Sequence, residues 1–226
     1  NSENASLMPA LVNTLIITAL SLLIAIPFGV FTAIYLVEYA KKGSKIVKLI
    51  RITAETLSGI PSIIYGLFGL LFFCTALKWG YCLLAGALTL VIMILPLIIR
   101  TSEEALLSVP DAYREASFGL GAGKLRTIFH VVLPTAIPGI LSGVILATGR
   151  IVGETAALLY TAGSVAKIPN LMGSGRTLAV HMYVLSSEGL YMDQAYATAV
   201  VLLVFVLALN GISNLLAKQL TKGRNA

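Results

Sequence analysis

The chain has 226 residues, 58% of them apolar and only 12% charged, with a formal net charge of +6 and a mean hydropathy of +0.92. Soluble globular domains carry about a quarter charged residues, so this composition excludes a soluble fold. Five stretches carry no formal charge, namely 4–37, 56–77, 79–99, 127–149 and 194–217. Each matches or exceeds the roughly 20 residues that an α-helix needs to cross a bilayer's hydrocarbon core. They lack the polar stripe of a soluble core helix and the roughly 10-residue alternation of a membrane β-strand. The reading is an all-α polytopic membrane protein, a single transmembrane domain over 1–226, with spans at about 10–37, 56–77, 81–99, 136–163 and 194–217.

Residues 1–6 are polar, no basic segment precedes the first run, and that run continues through Pro27 to Tyr35, so it is a span and not a signal peptide. Orientation follows from the basic residues. Twelve of the 16 Lys and Arg side chains fall in 38–55, 100–135 and 218–226, whereas the alternate set holds only Lys78, Lys167 and Arg176. The positive-inside rule puts the first set in the cytoplasm, the amino terminus outside and the carboxyl terminus inside. Orientation thus accounts for the positive charge, and no nucleic-acid partner is expected. Lipid surrounds the spans.

After the first span comes a basic cytoplasmic loop, 41–51. The second span opens on Ser58-Gly59-Ile60-Pro61-Ser62. Gly59 and Pro61 this close bend a membrane helix and free a carbonyl. The break at Gly59, Pro61 and Ser62 reads either as a plain kink or as polar backbone exposed to a pathway. Cys74 and Cys82 read as small buried hydrophobes. Neither they nor the single His130 and His181 make a metal signature.

The third span runs to Pro96 and Arg100, and the longest polar interruption in the chain follows at 100–134. Ser108-Val109-Pro110-Asp111 reads as a helix start, with Ser108 as the cap. The helix should stop at Gly119 or Gly121, where glycine permits a left-handed turn. A second short helix is expected at 124–132, ending at Pro134. In the fourth span Arg150 and Glu154 stand four apart in an otherwise apolar run, which puts both on one helical face. A charge near mid-bilayer costs about 2.5–3.5 kcal/mol. The pair therefore reads either as a structural ion pair or as part of a polar pathway, in which the Arg150 guanidinium offers paired donors to an oxyanion. Arg100 would be a second positive contact. The outer segment 164–193 reads as an exposed connection or as a docking surface. There is no Gly-rich loop ending in Gly-Lys-Ser/Thr, so the chain has no ATPase site of its own.

The order Glu115-Ala116-Ser117, three residues, Gly121, nine residues, Val131-Val132-Leu133-Pro134 resembles the EAA loop of ATP-binding-cassette importer permeases, with Ser and Val as mild departures. Three further runs are similar to phosphate-specific transport permeases: residues 58–66, 95–105 and 149–156. Residues 153–163 and 180–183 are closer to the PstA type than to the PstC type. This resemblance implies a MetI-like permease fold in a bacterial or archaeal cytoplasmic membrane. It implies a coupling helix at about 110–122 that docks on an ATPase dimer, through Tyr113, Arg114, Glu115, Ala116, Gly121, Leu133 and Pro134. It also implies a PstC-like second permease and an extracytoplasmic phosphate-binding protein. ATP and Mg would be used by the partner ATPase, and this chain would bind no cofactor. Members of the family usually have six spans, so a span preceding residue 1 is expected. Sulfate or molybdate transport, or an ion-coupled secondary transporter, are the alternatives.

Overall fold

The computed structural model describes residues 6–41, 43–189 and 191–222. Lys42 of the basic loop, and the end of the basic tail from Gly223 with Arg224, lie outside the described residues. Among the described residues, four helices are long and apolar enough to cross a bilayer: α1 (Leu7–Tyr39), α4 (Leu83–Leu107), α6 (Lys124–Val152) and α9 (Met192–Lys222). A fifth crossing is made if the bent pair α2 (Lys45–Ser58) and α3 (Ser62–Ala76) counts as one span. Three shorter helices complete the chain: α5 (Asp111–Gly119), α7 (Ala156–Thr161) and α8 (Leu178–Glu188).

Helix α4 is the axis of the bundle, with α1, α2, α3, α6 and α7 packed around it. Its largest buried side chains, Leu83, Leu90, Met93, Ile94 and Ile98, form the main core with Ile17, Tyr65, Ile151 and Leu158. Helices in lipid gain no hydrophobic driving force from associating, so close backbone approach must hold them. The buried side of α1 accordingly carries Ala10, Thr14, Ile17, Ser21, Ala25, Gly29 and Ala33, mostly small residues spaced three or four apart. A Cβ on Gly29 would sit 2.6 Å from Ile98 Cγ2. On the other side of α4, a Cβ on Gly139 of α6 would sit 2.6 Å from Ala105 Cβ.

Several elements differ from the sequence reading. The basic loop 41–51 is mostly helix: α2 buries Val47 and half-buries Ile50, Ala54 and Leu57 against the bundle. It turns 102° from α3 at Gly59-Ile60-Pro61, so α2 runs across the bundle. Helix α4 continues two turns past the expected end of the third span, placing Arg100, Glu103 and Glu104 on a helix. The expected short helix at 124–132 does not stop at Pro134; it continues to Val152. Pro134 lacks the N–H for an α-type bond, and its ring crowds the carbonyl one turn back. The chain accommodates this with a π-helical turn at Ile128–Val132. The fourth span is shifted towards the amino terminus, ending at Val152 before a break at Gly153-Glu154-Thr155 and the short α7.

The outer connection at 164–193 is not a simple exposed loop. It is bonded into the bundle by Gly175 N–H to the Ala162 carbonyl (3.1 Å) and Leu83 N–H to the Gly173 carbonyl (3.1 Å). Asn13 Nδ2 donates to the Lys167 and Arg176 carbonyls at 2.9 and 3.1 Å. Arg176, Thr177 and His181 are buried.

Candidate functional site

The polar hairpin is built from its turn. Leu120 follows α5, and Gly121 takes φ +81°, a conformation that costs a side-chain-bearing residue about 1–2 kcal/mol. Gly121 N–H donates to the Phe118 carbonyl at 2.9 Å and Ala122 N–H to the Ser117 carbonyl at 3.1 Å. This is a Schellman closure, in which one left-handed glycine satisfies the last carbonyls of a helix. The Ser117 and Thr127 hydroxyls meet at 2.8 Å and tie α5 to the start of α6. Ser108 does not cap α5, contrary to the sequence reading; its hydroxyl donates back to the Ala105 carbonyl at 2.8 Å. The helix starts instead at Asp111, after Pro110, with Asp111 in its first turn.

No residue of α5 is buried. Tyr113, Glu115, Ala116 and Phe118 are exposed, and Leu120 beyond them is 89% exposed. Isolated helices this short are unstable in water, so α5 must be held from below. Arg114 holds it. Its Nε and Nη2 donate to Glu38 Oε1 at 3.0 and 2.9 Å, Nη2 also to the Leu106 carbonyl at 3.0 Å, and Nη1 to the Val109 carbonyl at 2.8 Å and to Asp111 at 3.1 Å. Arg114 therefore faces the permease, while its neighbours Tyr113 and Glu115 face out. Leu133 and Pro134 are half-buried in α6 and line no outer face of the hairpin. Glu38 is a residue that sequence reasoning missed: it stands 76 positions from Arg114, and its only signal was an acid among lysines at the end of a span.

Two helices that each follow a chain break lie against each other. A Cβ on Gly66, in α3, would come within 2.8 Å of Ala157 Cα, in α7, so the helices that follow the Gly59–Pro61 and Gly153–Thr155 breaks touch backbone to backbone. The Tyr65 hydroxyl crosses the first break and donates to the Leu57 carbonyl at 2.7 Å. Arg150 is half-buried on the last turn of α6. The expected pairing with Glu154 on one helical face is not made, because α6 ends between them at Val152. Glu154 is buried, and its Oε1 accepts from Ala157 N–H at 3.0 Å, closing the first turn of α7. Among the described residues Arg150 makes no hydrogen bond or ion pair.

Arg100 is not brought to Arg150. It is exposed on α4 and pairs with Glu104 at 3.1 Å. Gly143 of α6 packs on Thr101, and Arg150 lies seven residues further along α6, about 10 Å of axial rise away. A second pair, Arg51 with Glu103, ties α2 to α4 nearby. The two cysteines are buried and unbonded to each other. Cys82 also has a local task, its sulfur accepting from Ala85 N–H at 3.4 Å at the start of α4.

The chain is thus a multi-pass bundle with a glycine-closed hairpin and two short helices in backbone contact just beyond chain breaks. The chain belongs to the family of binding-protein-dependent transport system inner membrane components, whose pattern matches residues 25–224. It is thus the membrane-spanning permease of an ATP-binding-cassette transporter and not the ATPase. It is 38% identical over 232 residues to the probable ABC transporter permease protein YqgI of Bacillus subtilis, covering 93% of this chain and 79% of that protein. It is 35% identical over 219 residues to the phosphate transport system permease protein PstA 2 of Mycobacterium bovis, covering 95% and 72%. With PstA 1 of Mycobacterium tuberculosis strain H37Rv the identity is 41% over 154 residues, but the match spans only 49% of that protein's length. The fold is that of a chain of the MetNI methionine ABC transporter, with a TM-score of 0.74 at 21% identity, covering 95% of this chain and 94% of that one.

Proposed function

We propose that this chain is the PstA-type permease of a phosphate importer, and that it moves inorganic phosphate past Arg150. The observation that carries the reading is a half-buried guanidinium with no protein partner among the described residues, in a chain similar to phosphate transport permeases over most of its length. A free guanidinium offers a planar fork of donors to a tetrahedral oxyanion. Glu154, turned to the Ala157 amide, leaves that fork open while keeping a negative charge nearby that limits how tightly a dianion is held. The Gly59, Pro61 and Ser62 break sits beside this point, and Arg100 belongs to the cytoplasmic exit instead of the centre.

On this reading Tyr113, Glu115 and Ala116 seat on a cytoplasmic ATPase dimer that binds the ATP and Mg, and this chain itself carries out no hydrolysis and binds no cofactor. A PstC-like permease forms the other half of the pathway, and an extracytoplasmic phosphate-binding protein delivers substrate to the outer segment. The amino-terminal side lies outside and the carboxyl terminus in the cytoplasm, as the lysines and arginines of 38–55 and 100–135 require. The test is Arg150→Ala: the complex should assemble in normal amounts and take up phosphate at least about 100-fold more slowly, as when an ionic partner worth about 3 kcal/mol is removed. Unchanged uptake in the assembled complex would refute the role.

A further inference from the structure

The bonds that Arg114 makes reach two different helices. The Leu106 and Val109 carbonyls belong to the end of α4 and the residues just after it, but Glu38 belongs to the last turn of α1. The pair is enclosed, with side chains 13% and 10% exposed, so solvent and salt screen it little. Two nitrogens of one planar group on a single carboxylate oxygen fix direction as well as distance. One residue further along α1, the Tyr39 ring lies under Lys124 Nζ at 4.7 Å. The cytoplasmic end of α1 is therefore gripped by both arms of the hairpin, although no covalent segment shorter than α2, α3 and α4 together joins them.

We infer that Glu38 and Arg114 form a latch through which displacement of the coupling helix α5 is passed to α1, so that α1 is a driven helix of the transport cycle. The inference rests on the reading above, that α5 seats on an ATPase. It adds a second output to the hairpin. The first output runs covalently through Pro134 into the helix that carries Arg150, and the second runs through this ion pair into α1. The small-residue seam between α1 and α4, with Gly29 on Ile98, presents few protruding side chains and is suited to the small sliding motions of packed helices. Both latch residues are positioning residues, acting on the pathway through α1.

The test uses the assembled complex in proteoliposomes. Glu38→Ala leaves Arg114 its carbonyl bonds and Asp111, so α5 stays seated on α4. The ATPase should still co-purify and hydrolyse ATP, while phosphate transported per ATP hydrolysed falls by at least about fivefold, the lower end of typical coupling between sites. Glu38→Gln keeps the size and an acceptor, and should show a smaller loss in the same direction; it stands in if Glu38→Ala does not assemble. Spin labels at Phe31→Cys and Ala112→Cys, both at exposed positions, with Cys74 and Cys82 changed to Ala, report whether α1 and α5 move together. Their separation should stay constant on ATP binding with Glu38 present, and shift or broaden without it. A separation that changes equally in both backgrounds, or a coupling ratio unaffected by Glu38→Ala, overturns the latch. Failure of the ATPase to associate with the unaltered chain would instead remove the underlying reading.

Discussion

A guanidinium in a membrane helix must either find a carboxylate, reach the headgroups or face something that comes and goes. Arg150 has no protein partner among the described residues, and the carboxylate four positions away is committed to a backbone amide. The reason the expected ion pair fails is local: Gly153 ends the helix, so the i,i+4 register that would align the two charges is lost one residue before Glu154. His181 poses the opposite case. It is fully buried with neither ring nitrogen hydrogen-bonded, and burial, followed by the nearby Arg176 charge, pushes its pKa down to about 4 from 6.5. Because the folded chain holds the neutral ring and the unfolded chain binds a proton more readily, stability is complete above pH 6.5 and is lost as pH falls towards 4. The loss at pH 4 should be about 3 kcal/mol. Thermal unfolding of the detergent-solubilised chain should show it as a fall in Tm between pH 7 and 4, which a His181→Leu variant lacks; equal pH profiles for the two would contradict this.

At the scale of elements, the hairpin depends on Gly121 and the bundle on its small-residue seams. Gly121→Val places a β-branched side chain at φ +81°, where it is strained by about 1–2 kcal/mol. The Schellman closure should open, and the fraction of permease that co-purifies with its ATPase should drop several-fold while the membrane bundle stays folded. Retention of full association would mean that the turn does not shape the docking face. The turn was legible in the sequence because glycine chemistry is local, and the same is true of the break at Gly59 and Pro61. Helix α2 was not read: Lys45, Lys48 and Arg51 looked like a solvated loop, yet Val47, Ile50, Ala54 and Leu57 already carried the three-to-four spacing of a helix face. The continuation of α6 through Pro134 was hidden for another reason. A proline normally marks an end, and here a π turn absorbs it.

For the whole molecule, charge-free length was enough to read an all-helical membrane bundle interrupted by a polar hairpin, because both are set by the bilayer and not by packing. What they left unread was long-range: the Glu38–Arg114 pair across 76 residues, the contact between the helices that follow the two breaks, and the burial of 175–181 in the connection. Those depend on which faces meet, and no spacing along the chain encodes them. The proposed phosphate permease driven from its hairpin is tested most directly by one measurement. In a strain whose only copy of this permease is the present chain, uptake of radiolabelled phosphate should be dependent on the ATPase and undiminished by excess sulfate or molybdate. Uptake that these oxyanions suppress as well as unlabelled phosphate does, or that persists without the ATPase, would contradict it.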